Sequence, residues 1–253
     1  MNESLLTVRE KSIIAGLYLS KFDADGLRHL GFDNFKEAFN VIGLALGVPP
    51  ASIKNYRDEF DPLFPNSRQG WHKRTTREYC KTIYNDLKDC DMHTLSKILK
   101  QSLYKNPEID LLIEQATETD YYNKDSSFAK RLVTGQAAEK YFINQFPKME
   151  NFIGYTMEDT TTLGCGFDFK LSAHTENFLA IEVKGINELH GTISLTQKEH
   201  SIAKILGERY YLFVVRNFKD SPFYELYNNP LSSDLSFSKT ERKITQTTWS
   251  ATL

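Results

Sequence analysis

Gly164-Cys-Gly-Phe-Asp-Phe-Lys170, followed by Ala180-Ile-Glu-Val-Lys-Gly185, reads as two short β-strands joined by a polar turn. On the first strand Phe167, Phe169 and Leu171 alternate with Gly166, Asp168 and Lys170; on the second, Ile181 and Val183 alternate with Glu182 and Lys184. Side chains two apart on a strand share a face of the sheet. Glu182 and Lys184 therefore point the same way, and Asp168 is placed to join them from the neighbouring strand. Two carboxylates and a lysine on an otherwise apolar hairpin call for a chemical reason.

The elements around this hairpin build an α/β layer. Residues 128–146 carry Phe128, Leu132, Ala138, Tyr141, Phe142 and Phe146 at helical spacing, with Ser126 or Ser127 as the expected cap. A loop or strand leads to about residue 157. After the hairpin, residues 192–195 read as a short strand. Thr196 and Glu199 form a capping box that starts a helix through Ile202, Ile205 and Leu206, and Gly207 ends it. Tyr210-Tyr-Leu-Phe-Val-Val-Arg216 is nearly all apolar, as expected of a buried central strand. A last strand is expected at 243–249. The succession suits a mixed sheet flanked by helices.

Upstream the chain reads as helical, giving an α+β whole: a helical domain over 1–122 and an α/β domain over 123–253. Helices are expected at 12–22, from Asn34 through Leu46, at 51–60, 75–87, 92–103 and 107–119, with a break at 23–34 and a polar boundary at 121–127. Asn34 and Glu37 look like a capping box, and Gly47-Val-Pro-Pro50 is a short stop. Two helices joined so tightly fit either a helix-turn-helix or a plain helical hairpin. Residues 54–77 then hold six basic side chains (Lys54, Arg57, Arg68, Lys73, Arg74, Arg77) against three acids, in a chain of net charge −2. Asn55, Trp71 and His72 are interleaved. Arginine and lysine suit phosphates and guanine edges, and asparagine suits adenine edges. This stretch is the expected DNA contact.

The bulk properties narrow the class. The chain has 253 residues, 40% hydrophobic and 25% charged, an ordinary soluble composition. It has no apolar run long enough for a bilayer, and its opening residues lack a secretion pattern, so a cytoplasmic location is expected. Cys80, Cys90 and Cys165 form no CxxC pair, and the histidines have no metal-like spacing, which argues against a zinc site. The carboxylates of the hairpin suit a harder ion. Mg²⁺, with Mn²⁺ able to substitute, would be held by Asp168, Glu182 and the Val183 carbonyl, while Lys184 orients or deprotonates a water or steadies negative charge. Such a site hydrolyses phosphodiesters.

The stretches Gly164-Cys-Gly-Phe-Asp-Phe169, Ile181-Glu-Val-Lys-Gly185 and Ile193-Ser-Leu-Thr-Gln-Lys-Glu199 resemble the PD-(D/E)xK nuclease superfamily. Within it they resemble the nuclease-type domain at the C-terminus of restriction-system and helicase proteins and of the plant NO VEIN protein. The resemblance covers about residues 128–216 and implies a restriction-endonuclease-like fold. It implies that Asp168, Glu182 and Lys184 are the motif residues, that Glu139 assists metal binding, and that Gln197 or Glu199 completes the site. Phe167 stands where the proline of the motif name would be. A weaker likeness, over 53–74, is to a helical domain attached to restriction endonucleases.

These readings lead to a Mg²⁺-dependent endonuclease of the type II restriction kind. It would cut double-stranded DNA at a specific sequence, as a homodimer carrying two active sites, with a methyltransferase encoded nearby. The alternatives are a repair or phage-defence nuclease without strict sequence specificity, and a non-catalytic DNA-binding module on a relic nuclease fold.

Overall fold

The computed structural model describes residues 6–104, 125–174, 177–241 and 249–251. The helix expected at 107–119 lies outside these residues, as do most of the 121–127 boundary and nearly all of the strand expected at 243–249.

The helical half is organised round α1, Val8–Leu30. Thr7 and Glu10 cap it reciprocally, the Thr7 N–H donating to Glu10 Oε2 at 2.7 Å and the Glu10 N–H to Thr7 Oγ1 at 3.3 Å. Every residue over 12–20 is buried, so α1 is wrapped on all sides rather than amphipathic. The sequence suggests a break at 23–34; the chain instead bends at Asp23 (φ 48°) and runs on helically until Gly31, at φ 80°, stops it. A bend of this kind leaves no mark on hydrophobic spacing.

Helices α2 (Phe35–Ala45) and α3 (Pro50–Phe60) follow. Asn34 caps α2 by accepting from the Glu37 N–H at 2.9 Å, but Glu37 reaches back to the Asp33 N–H at 2.8 Å, one residue beyond a standard box. Helix α3 crosses α1 at Gly16, where a Cβ would lie 2.4 Å from Tyr56 Cβ and 2.7 Å from its carbonyl carbon. Only glycine permits that approach. Burial at the end of α3 runs from Arg57 through Phe60, leaving Ala51, Lys54 and Asn55 exposed. A recognition helix needs a free polar face; α3 gives its charged C-terminal end to the interior and keeps Lys54 and Asn55 exposed nearer its start. Helix α4 spans Glu78–Leu87, starting three residues later than expected, and α5 spans Met92–Leu103 under an Asp91 cap.

Helix α6, Asp125–Gln145, begins ahead of both Ser126 and Ser127, so neither is its N-cap. It lies between the helical layer and a five-stranded sheet of order β1-β2-β3-β4-β5: Thr156–Asp159, Phe169–Ser172, Leu179–Gly185, Tyr210–Arg216 and Phe223–Asn228. Only β3 and β4 are parallel, and their crossover carries α7, Gln197–Leu206. Strand β4 is buried along most of its length, as its apolar run demands.

One hydrophobic cluster joins Ile13, Leu17, Phe39 and Ile42 of the helices, Ala138 and Phe142 of α6, and Phe169, Ile181 and Phe213 of the sheet. Lys130 on α6 adds a 2.8 Å ion pair to the buried Glu37 of α2. The opposite sheet face is covered by α7, where Ala203, Ile202 and Leu206 meet Ala180 and Tyr210. Residues 192–195, expected as a strand, form none: Ile193 and Leu195 instead pack on Ile186, Leu212 and Val214. Their alternation reflects a coil anchored to a sheet face. No described helix is long and apolar enough to cross a membrane.

Candidate active site

The two sheet faces separate the hairpin's side chains by chemistry. Ile181 and Val183 face α6; Glu182 and Lys184 face α7. Phe169 pairs with Ile181, so the next step of the antiparallel register puts Asp168 opposite Glu182. The Asp168 N–H donates to the Ile181 carbonyl at 2.9 Å, and its side-chain Oδ2 accepts from the Val183 N–H at 2.8 Å. Lys184 Nζ lies 2.6 Å from Glu182 Oε1 and 2.9 Å from Glu199 Oε2. The structure thus brings Asp168, Glu182, Lys184 and Glu199 together.

The turn before Asp168 is held from three sides. Gly164 and Gly166 have φ values of 58° and 94°, which glycine adopts readily. A Cβ on Gly166 would come within 2.9 Å of Ile202, so α7 lies directly on the turn. Lys198 Nζ donates to the Gly164 carbonyl at 2.9 Å, and the buried Tyr210 hydroxyl donates to the Gly166 carbonyl at 3.1 Å. Thr160 Oγ1 donates to the Phe167 carbonyl at 3.2 Å. Tyr210 and Lys198 were not legible as site residues: one reads as core and the other as a surface charge.

Glu199 has two duties through one atom. Its Oε2 accepts both from the Thr196 N–H at 2.9 Å, closing the capping box of α7, and from Lys184. Gln197, the first residue of α7, is exposed, and none of the described contacts involves its side chain. Of the two residues that the sequence left open, the structure sets Glu199 against Lys184 and leaves Gln197 facing solvent.

Electrostatics follow from crowding. Burial raises the Asp168 carboxyl pKa above its usual range, the Val183 N–H and Lys184 pull it down, and Glu199 and Asp159 push it up again. Burial, then the Asp168 charge, push Glu182 to about 8, with only partial relief from Lys184. Burial works against the Lys184 ammonium, yet its pairs with Glu182 and Glu199 hold its pKa above the ordinary lysine value. Burial keeps Tyr210 a neutral phenol, and the surrounding carboxylates reinforce it. Three carboxylates share one lysine, an arrangement that lacks positive charge. Among the described residues no three His, Cys, Asp or Glu side chains are set round one point as a closed ligand cage. Two acids plus a backbone carbonyl, as Asp168, Glu182 and Val183 provide, still fit a hard cation, which keeps waters in its shell.

Glu139, on α6, lines a cavity of about 250 Å³ with Lys11, Tyr104, Gln136, Lys140 and Asp159. Asp159 is thus shared between that cavity and the field acting on Asp168.

The basic stretch looks different folded. Arg57 is buried over the Phe35 and Phe39 rings, 4.8 and 4.9 Å from their centroids, and donates to Asp58 at 2.6 Å. Arg68 grips both oxygens of the fully buried Asp61 at 2.9 Å and also pairs with Asp23. Lys54 meets Asp58 at 2.6 Å. Arg74 and Arg77 both pair with the buried Glu59. The acids that seemed merely to dilute the charge are its structural partners. Asn55, His72, Lys73 and Arg74 stay exposed, and Trp71 is half-buried.

The fold and site therefore define an α+β domain with a half-buried acid–lysine cluster, centred on the buried Glu182, on one sheet face. Residues 138–228 match the family model described as protein NO VEIN, C-terminal. The match runs from within α6 to the end of β5 and contains Glu139, Asp168, Glu182, Lys184, Gln197 and Glu199. No curated protein and no solved structure matches the chain.

Proposed function

We propose that this protein is a metal-dependent deoxyribonuclease of the PD-(D/E)xK kind. The observation that carries the reading is the pair of carboxylates, the half-buried Asp168 just before β2 and the buried Glu182 on β3, set opposite each other with Lys184 alongside. Placing two acids where burial, then neighbouring carboxylates, raise both pKa values is costly unless a cation joins them. The match to the NO VEIN C-terminal family and the resemblance to nuclease domains point the same way.

Asp168, Glu182 and the Val183 carbonyl would hold Mg²⁺ or Mn²⁺. Once bound, the ion supplies charge neutralisation at the phosphate and acidifies a water. The Val183 N–H fixes the rotamer of Asp168, and Glu199 and Glu182 keep Lys184 protonated, so its ammonium donates to a phosphate oxygen or an attacking water rather than acting as the base. Tyr210 and Lys198 hold the turn that presents Asp168.

The finer reading is a type II restriction endonuclease acting on double-stranded DNA as a homodimer, with a methyltransferase gene as neighbour. The burial of Arg57 favours a second reading, a repair or phage-defence nuclease without strict sequence specificity, because α3 offers little of its charged face to a groove. Plasmid incubated with Mg²⁺ separates them: fixed fragments support restriction, whereas nicking or random degradation supports the second. Asp168→Ala and Lys184→Ala should each abolish cutting and spare binding. Undiminished cutting by either variant refutes the site.

A further inference from the structure

The ladder of cations and rings beside the basic stretch has no part in the chemistry above. Arg9 from α1 lies 5.5 Å from the centroid of the Tyr79 ring on α4, and Arg77 lies 4.9 Å from that same ring. Arg77 also lies 5.6 Å from Trp71, and Arg74 covers Trp71 at 3.8 Å. The order along the surface is Arg9, Tyr79, Arg77, Trp71, Arg74. Arg9, Tyr79 and Arg74 are exposed, as are the adjacent His72 and Lys73. Beneath them the counter-charge is Glu59, buried and paired with Arg74 and Arg77. Glu78 is balanced by Lys81 at 3.1 Å. The outer face therefore carries a cationic excess, with Glu78 offset by Lys81 and Glu59 on the inside.

We infer that this ladder holds unpaired bases of a DNA strand. This rests on the proposed reading that DNA is the substrate. Nucleobases present their faces only when unstacked from a duplex, and a platform of arginine planes and aromatic rings takes those faces while its cations track phosphates. A groove reader needs a projecting helix, and Arg57, the arginine on α3, points inward. Arg74 is the open end of the pile, with its side chain 48% exposed and its inner face on the indole, so a base laid on it continues the stack. Tyr79 offers a second exposed ring from another helix. Glu59 holds Arg74 and Arg77 in place, which lowers the ordering cost of binding.

The test uses the full chain in EDTA, carrying Trp249→Phe so that Trp71 is the sole indole reporter. The probes are a DNA single strand of about 16 nucleotides, the span of a single-strand platform, a closed duplex of the same sequence, that duplex with a central gap, and the RNA equivalent. The expected result is quenching of Trp71 and at least roughly tenfold tighter binding of the single strand and gapped duplex than of the closed duplex. Trp71→Ala and, separately, Arg74→Ala, both read by the anisotropy of end-labelled DNA because the first removes the reporter, should weaken single-strand binding by about 5- to 150-fold, the range for losing one stacked base. Unchanged melting curves and the exposed position of Arg74 guard against misreading a folding defect. Equal or tighter closed-duplex binding, a preference for RNA, or full affinity in both variants overturns the inference. Cutting of plasmid without single-strand preference sinks the ladder alone. Single-strand preference without cutting under any divalent ion sinks the nuclease reading alone.

Discussion

Replacing Glu182 by Gln removes a charge while keeping the side chain's shape, and it should make the metal-free protein more stable in alkali. Folding raises the Glu182 pKa from 4.5 to about 8, chiefly by burial. A group whose pKa rises on folding contributes stability that is present below its unfolded pKa and lost as pH climbs through its folded value. The window is therefore pH 4.5 to about 8: well below pH 4.5 both states carry a protonated carboxyl, and above pH 8 the folded state bears the whole penalty. The shift converts to at most about 5 kcal/mol. In the Gln variant Lys184 loses its 2.6 Å partner and retains only Glu199, which offsets part of the gain. The expected net gain is about 2 kcal/mol at pH 9, or roughly 4–8 °C in Tm for a chain of this size. Melting curves in EDTA at pH 5 and pH 9 measure it. The gap between variant and parent should be small at pH 5 and open at pH 9. A Gln variant less stable than the parent at pH 9, or a gap equal at both values, would show that the Glu182–Lys184 pair is favourable on its own and needs no cation.

If the proposed site takes a cation, binding at the same carboxyl should release protons. At pH 7 Mg²⁺ should displace about one proton, and its apparent affinity should rise about tenfold per pH unit until pH 8; calorimetry in buffers of different ionisation enthalpy reads both, and pH-independent binding would count against Glu182 as a ligand. Thr196→Ala removes the cap of α7 and should cost about 1 kcal/mol in urea titration while leaving metal binding intact, because Asp168 and Glu182 are untouched. Gly16→Ala forces a methyl against the Tyr56 backbone and should cost roughly 2–3 kcal/mol by denaturant melt; a neutral result would mean that α1 and α3 separate freely. Glu59→Gln should steepen the salt dependence of DNA binding, since the Arg74 and Arg77 charges lose their internal counter-ion, and should weaken single-strand binding, since the ladder is no longer held in place.

Where a signal was local, it was legible. Alternation in the hairpin places Glu182 and Lys184 on one face, the apolar run of Tyr210–Arg216 is a buried strand, and Thr196 with Glu199 caps α7. What escaped was relational. Strand β5 carries Phe223-Tyr-Glu-Leu-Tyr-Asn228 with little alternation, and it becomes a strand because β4 offers it an edge. Arg68 looks like free charge until Asp61 and Asp23 are seen opposite it, and no count along the chain reveals that pairing, whereas Arg57 and Asp61 stand at the i,i+4 spacing of a helical ion pair. Tyr210 belongs to the site because a carbonyl 44 positions earlier in the chain folds over its hydroxyl.

Helix α6 carries a lesson for anyone dividing this chain into parts. It gives one side to α2 and another to the sheet, through a hydrophobic cluster without a seam, and the family match begins at Ala138, midway along it. The portable unit defined by sequence likeness and the unit that keeps water off its apolar groups are thus different lengths of chain. An excised 138–228 fragment would lose Val133 and Ala137 of α6 and every residue of the helical layer from that cluster, so a transplant of this sheet face has to carry the helical layer, or a substitute surface, along with it.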